Sequence, residues 1–239
     1  MATIRISAFT TLAADMAALL FPRLCAGCGD GLRIGEEAIC TACRLELAPS
    51  FDFAAPAENP SARVFWGRIP VQAAASGYVF GSHGRIQEII HQLKYKGRRD
   101  AGVELGKTIA RQMAAVHPFN TVSLIIPVPL HSSRLRQRGY NQAAAFGQGI
   151  AELLGVPLRE NILLRLQATR TQTRKTRDER WQNVDSVFSV SDPASIENKH
   201  ILLVDDVLTT GATLESAARP LLAVHGVTVS IVTIAAARN

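Results

Sequence analysis

The sequence lacks an apolar run long enough to cross a membrane. Cysteine is absent outside residues 25–43, and internal repeats and low-complexity tracts are missing throughout. Negative charge is the minority sign: 20 Asp and Glu stand against 26 Lys and Arg in 239 residues, a net charge of +6. Each shortage excludes something. Without a span, a helical membrane protein is excluded. The apolar stretch after Arg5 has a poor small-residue cleavage site, which disfavours a secretory leader. A cytoplasmic protein without a membrane span is therefore expected. The positive excess favours phosphates, nucleotides or nucleic acid as partners, without choosing among them. Hydrophobic residues make up 47% of the chain, so a packed core is affordable and disorder is not expected.

What is present falls into three parts. Residues 1–50 hold an amphipathic N-terminal stretch, expected to be helical, and all four cysteines. Residues 51–70 are rich in Pro and Ala, show no clear period and read as a linker. Residues 71–239 alternate strand and helix patterns. A strand is expected over 71–80, then a helix with Ile86, Ile89, Ile90 and Leu93 on one face, capped by Ser82 and ended by Gly97. Further helices are expected over 101–115 and 141–154. Strands are expected over 122–128, 163–166, 187–190, 201–204 and 227–235, with a helix running from the turn after 204 through His225. Such alternation indicates an α/β fold, a parallel sheet flanked by helices, whose ligand sits at the carboxyl ends of the strands.

Cys25-Ala-Gly-Cys28 and Cys40-Thr-Ala-Cys43 are two CxxC pairs with no cysteine left over. Four thiolates make a closed tetrahedral zinc site with no open position for water, so a structural metal is expected rather than a catalytic one. Buried or redox-active thiols are the alternative. A unit this small needs the metal for most of its folding energy. It could bind nucleic acid, bind a protein or brace the larger domain.

The most informative segment is Ile201-Leu-Leu-Val-Asp-Asp-Val-Leu-Thr-Thr-Gly-Ala-Thr-Leu214. A buried strand is expected to end at Asp205 and Asp206. Val207, Leu208, Thr209, Thr210, Gly211, Ala212 and Thr213 then lead into a helix. Helix N-terminal amides bind phosphate, glycine lets the main chain come close, and threonine hydroxyls add donors. The two carboxylates can accept from vicinal sugar hydroxyls. An ordinary strand–turn–helix capped by Thr is the plainer reading, but adjacent acids there are costly unless something polar uses them.

This segment resembles the signature of type I phosphoribosyltransferases. Together with FPRLCAGCG, CTAC, IHQLKYKGRRD, PVPLHSSRLRQRGYNQ and TQTRKTRDERWQNV, it is similar to the ComF family, a competence-associated group of zinc-containing phosphoribosyltransferase-like proteins. The resemblance spans about residues 21–236. It implies phosphoribosyl pyrophosphate as ligand, bringing Mg²⁺ on its own pyrophosphate. Asp205 and Asp206 would face the ribose hydroxyls, and Thr209 to Thr213 would wrap the 5-phosphate. Val128, Pro129 and Leu130, with Pro127, would form the pyrophosphate loop, and Arg138 is the arginine chosen for phosphate contact. Arg170, Arg174, Lys175, Arg177 and Arg180 would lie on a closing hood, or alternatively on a nucleic-acid patch. Arg170 departs from the family pattern, which often has proline there. Lys94, Lys96, Arg98 and Arg99 around Tyr95 form another basic cluster, read as a solvated helix end or as a single-stranded nucleic-acid surface.

Thr209 narrows the chemistry. Purine-salvage relatives carry an aspartate three residues after the acid pair, as base at the purine ring, and a hydroxyl cannot replace it. The expected function is a phosphoribosyltransferase-like protein linked to DNA uptake or nucleotide metabolism. The alternatives are a non-catalytic single-stranded-DNA-binding factor that senses the ligand, and a zinc-braced adaptor for a DNA-uptake protein.

Overall fold

The computed structural model describes residues 22–81, 84–166 and 187–238. The expected N-terminal helix, the Ser82 cap and the basic 170–180 segment lie outside these residues.

Four parallel strands form the central sheet in the order β1-β6-β5-β2, where β1 is Ala73–Phe80, β2 is Leu124–Pro127, β5 is His200–Leu208 and β6 is Thr228–Ala237. Side chains alternate between its faces. Ile125, Leu202, Val204, Val232 and Ile234 enter one core, while Leu124, Ile126, Ile201, Leu203 and Ile231 enter the other. A sheet buried on both sides reads as continuous apolar sequence, which is why 201–204 looked so strongly like a strand.

Helices α3 (Arg85–Tyr95), α4 (Arg99–Met113) and α6 (Gln142–Leu154) supply core side chains to the first face. The expected stripe on α3 is buried at all four positions, Ile86, Ile89, Ile90 and Leu93. Its cap is the backbone of Gly84. Helices α4 and α6 touch main chain to main chain: a Cβ at Gly106 would stand 2.2 Å from the Phe146 carbonyl oxygen, and one at Gly149 would stand 2.0 Å from that of Val103. Only glycine permits that approach. Asn141 caps α6 by accepting from the Ala143 amide, and Gly155 ends it at φ +67°.

The second face is covered by α7 (Ala212–Leu222), by the short α2 (Pro60–Arg63) with the residues after it, and by an antiparallel ribbon of β3 (Leu163–Arg165) and β4 (Phe188–Val190). Helix α7 stops three residues before His225, because the chain must turn through Gly226 (φ +69°) into β6.

Residues 51–70 form a short 3₁₀ turn over Asp52–Ala54 and then α2. Phe53 and Phe65 from this segment are buried in the core. Asp52, fully buried, accepts from the Ser61 hydroxyl (2.5 Å) and the Ser76 amide (3.0 Å) and pairs with Arg238. These residues are held by tertiary contacts, so no helical or strand period marks them in the sequence.

The cysteine-bearing residues, with α1 over Thr41–Leu45, pack on α3 and α4. The buried Glu104 carboxylate of α4 accepts from the amides of Ala38 (2.6 Å) and Ile39 (3.1 Å) and pairs with Arg44 at 2.8 Å. Among the described residues, no helix is long and apolar enough to cross a membrane.

Candidate functional site

The acid pair lies inside β5 rather than at its end. The expected strand stops at Val204, but β5 continues to Leu208 because β6 stays paired with it as far as Leu208↔Ala236. Its other neighbour leaves earlier. Strand β2 ends at Pro127, opposite Val204. Past that point β5 has a free side, and there two carboxylates can be tolerated next to an apolar run. Val207 and Leu208 are accordingly strand residues, and Leu208 is buried.

Asp205 and Asp206 are both half-buried, and the Asp205 carboxylate accepts from the Asp206 amide at 2.8 Å. Burial, and then the charge of Asp206, push the Asp205 carboxyl up to about 8, against the opposing pull of the Asp206 amide and then of Lys94 and Arg165. Asp206 instead pairs with Lys94, whose Nζ lies 3.0 Å from Oδ2. Nothing in the sequence singled out Lys94 for this role, because the pairing exists only once α3 has packed beside the strand.

After Leu208 the chain turns through Thr209 and Thr210 to Gly211, which caps α7 with φ +76°. Thr209, Thr210, Ala212 and Thr213 are exposed. Asp205, Val207, Thr209, Gly211, Ala212, Thr213 and Leu214 line a small cavity of about 40 Å³. The amides and the dipole of a helix N-terminus facing such a hollow favour negative charge there.

The outer wall of this loop comes from residues 64–68. A Cβ on Gly211 would stand 2.5 Å from Val64 Cγ1 and 3.1 Å from Phe65 Cε1. Arg68 donates to the Thr210 carbonyl at 2.8 Å and pairs with Glu215 in the first turn of α7. Arg219 also pairs with Glu215. Sequence reasoning missed Arg68. Its position in a Pro- and Ala-rich stretch gave no signal, and its partner is 142 residues away.

The Pro127–Leu130 loop lies beside the acid pair. Val128 is buried and its amide donates to the Val204 carbonyl at 2.9 Å, while Pro129 and Leu130 are half-buried. Asn141 donates to the Val128 carbonyl at 3.0 Å, which ties the loop to the start of α6. The peptide bonds of this loop are trans; among the described residues the cis bond is His117–Pro118.

The following segment forms α5 (Ser132–Arg138), which buries no residue and ends at Gly139, φ +78°. Arg134 and Arg136 are exposed. Arg138 is half-buried and lies over the Tyr95 ring at 5.2 Å. Tyr140 donates its hydroxyl to the Leu93 carbonyl. The last turn of α3 is thereby joined to the 138–141 segment, with Lys94 between that segment and the acid pair. The stem of the expected hood is the β3–β4 ribbon, where Arg165 lies over Phe188 at 5.3 Å. Arg170, Arg174, Lys175, Arg177 and Arg180 are outside the described residues.

The four cysteines converge. Their sulfurs lie within 4.8 Å of one another, and Cys28 Sγ is 3.8 Å from Cys40 Sγ. Amides of Gly27 (3.3 Å) and Cys40 (3.2 Å) donate to Cys25 Sγ, and the Cys43 amide donates to Cys40 Sγ at 3.4 Å. Burial opposes charge on Cys25, but these donors and the Cys28 amide outweigh it and bring the thiol down to about 6. Burial, and then the neighbouring cysteines, push Cys43 the other way. Such a cluster could hold a metal ion, which would let all four sulfurs carry charge together.

Comparison with known proteins agrees with this geometry. Residues 149–239 match the phosphoribosyl transferase domain model, covering β5, the Thr/Gly loop and α7. The chain is 29% identical to the DNA utilization protein YhgH of Salmonella typhimurium over 225 residues, 89% of this chain and 96% of that one. It is 26% identical to competence protein F of Haemophilus influenzae, covering 80% and 86%. It is 31% identical to competence protein ComFC of Bacillus subtilis, covering 60% and 56%. The parallel sheet flanked by helices, with four clustered cysteines before it, accords with a type I phosphoribosyltransferase-like fold, and the chain is similar in sequence to the competence and DNA utilization proteins named above.

Proposed function

We propose that this protein binds phosphoribosyl pyrophosphate as its magnesium complex and acts in DNA uptake or nucleotide metabolism. One observation carries the reading: two adjacent, half-buried carboxylates lie in a central strand, beyond the point where β2 stops pairing with it, and the strand leads through a threonine loop into a glycine-capped helix N-terminus. Ribose hydroxyls suit the carboxylates and the 5-phosphate suits the amides of residues 211–213. The 127–130 loop would take the pyrophosphate. Magnesium would arrive on the ligand and offset the charge that the two acids and the pyrophosphate bring together. The link to DNA uptake rests on the names of the relatives.

If the protein transfers ribose phosphate, pyrophosphate leaves C1 and the transition state carries cationic character on the sugar. Positioning and charge then do most of the catalysis. Thr209 argues against a purine acceptor and leaves an amine or anionic nucleophile. Titration calorimetry with phosphoribosyl pyrophosphate and Mg²⁺ tests the site. Binding is expected, with loss in Asp205→Asn/Asp206→Asn; no binding, or equal binding by that variant, refutes it. Mass spectrometry after incubation with labelled ligand and cell extract tests transfer.

The cysteine cluster is read as a structural zinc site. Tetrahedral zinc with Zn–S bonds of about 2.3 Å separates its sulfurs by about 3.8 Å, which the Cys28–Cys40 distance matches. Reduced thiols fit a cytoplasmic protein. The zinc would brace α4 through Glu104 and α3 through Arg85, which donates to the Gly27 carbonyl at 3.2 Å.

One observation favours a second reading, a non-catalytic single-stranded-DNA-binding factor with a DNA-uptake protein as partner. Tyr95 is exposed, carries Arg138 on its face and neighbours Lys94, Lys96, Arg98 and Arg99. A steep salt dependence of single-strand affinity is expected on this reading. A flat slope removes it.

A further inference from the structure

Lys94 is badly described as a surface lysine. Its side chain is 24% exposed, and its ammonium lies on a carboxylate whose own side chain is 15% exposed. Isolated lysines at helix ends turn outward into water; this one turns inward, to the acid pair. The residues on either side of it hold it there. Leu93 accepts the Tyr140 hydroxyl through its carbonyl, and Tyr95 carries the Arg138 guanidinium. Asn141, one residue beyond Tyr140, donates to Val128 in the proline loop. Lys94 therefore stands where the acid pair and the proline loop come together, at the carboxyl ends of β5 and β2.

The ammonium, 3.0 Å from Oδ2, offsets the charge of Asp206. When a sugar presents its hydroxyls to Asp205 and Asp206, that carboxylate gains other partners. The flexible lysine stem then leaves the ammonium free to follow the nearest negative charge. On the reading of the site given above, that charge is the pyrophosphate in the 127–130 loop. We infer that Lys94 is a diphosphate-binding residue of this site, resting on Asp206 when the site is empty and passing to the ligand's diphosphate when it is filled. The inference depends on the cradle being a phosphoribosyl pyrophosphate site and adds to it a residue from α3. An ammonium on a flexible stem suits this exchange better than a guanidinium fixed in a planar fork.

The experiment compares two probes on the full-length protein, phosphoribosyl pyrophosphate with Mg²⁺ and ribose 5-phosphate, which lacks the diphosphate. Both are titrated into the wild type, Lys94→Met and Lys94→Arg. Methionine keeps the stem's length and removes the charge. The expected result is selective. Lys94→Met loses tenfold or more in affinity for phosphoribosyl pyrophosphate, about the value of one charge-assisted hydrogen bond. Its affinity for ribose 5-phosphate is unchanged or higher, because Asp206 is no longer engaged. Lys94→Arg recovers part of the loss. An equal loss for both probes overturns the inference and makes Lys94 only a support for Asp206. No loss for either also overturns it. A wild type that binds ribose 5-phosphate but not phosphoribosyl pyrophosphate refutes the reading of the ligand. A wild type that binds neither removes the cradle and Lys94 with it.

Discussion

Replacing Asp205 with asparagine should make the empty protein more stable at neutral pH while destroying its proposed function. Burial and Asp206 hold the Asp205 carboxyl near 8, against an ordinary value of 3.8. Between those limits the folded state keeps a proton that the unfolded state has released. Stability therefore falls as pH rises through the window, by at most about 1.4 kcal/mol per pH unit. From about pH 5 to about pH 7 the loss is on the order of 2 to 3 kcal/mol. Asparagine has the same shape, can accept from the Asp206 amide and does not titrate, so this slope should vanish. Burial also holds His200 below its ordinary value of 6.5, which gives a slope of opposite sign below that pH. Subtracting the variant's curve from the wild type's removes that contribution. Urea unfolding at a series of pH values measures the difference directly, and the same samples serve for ligand titration. Parallel curves, or a variant less stable than the wild type at pH 7, would refute the argument that burial and Asp206 keep the Asp205 carboxyl protonated.

Three further outcomes follow from other contacts. Gly211→Ala should cost about 1–2 kcal/mol for the left-handed backbone and a further 1–3 kcal/mol for the clash with Val64 and Phe65. It should also weaken phosphoribosyl pyrophosphate binding; unchanged unfolding and binding would contradict the packing described. Arg238→Ala leaves Asp52 buried without its cation and should cost about 3 kcal/mol, read as a drop in melting temperature of roughly 6–12 °C for a chain of this size. A drop under about 2 °C would show the pair to be dispensable. Chelation, or Cys43→Ser, should release one zinc per chain and lower the melting temperature; protein purified without metal and indifferent to chelator would dispose of the metal site.

Much of this architecture could be read from the residues alone, for identifiable reasons. The stripe on α3 obeys the helical period, so its four core positions were visible. Asn141 and Gly155 announce the two ends of α6 by their own backbone and side-chain chemistry. Strand β5 declared its buried half through four apolar residues, but its length to Leu208 depends on pairing with β6 and was not visible. Helix α5 buries nothing, so it left no hydrophobic period to read. In the site, the acid pair and the Thr/Gly loop were legible because strand, turn and helix follow one another in sequence. Lys94 and Arg68 were not. Each owes its role to a partner more than a hundred residues away, and nothing local distinguishes either from an ordinary surface cation. Asp52 was hidden for the same reason, since its partners Ser76 and Arg238 come from elsewhere in the chain.

The contacts of Val64, Phe65 and Arg68 with the glycine turn bear on how the protein is made. During synthesis the early segment leaves the ribosome long before the loop it will support. Ala62, Phe65 and Ile69 share one core with β5, β6 and α7, so the wall and the turn at Gly211 can order only together, once the last third of the chain has emerged. A fragment beginning at residue 71 would contain every amide of the Thr/Gly loop and none of the wall behind it. Any attempt to trim this protein to the central sheet and its helices should start before residue 60.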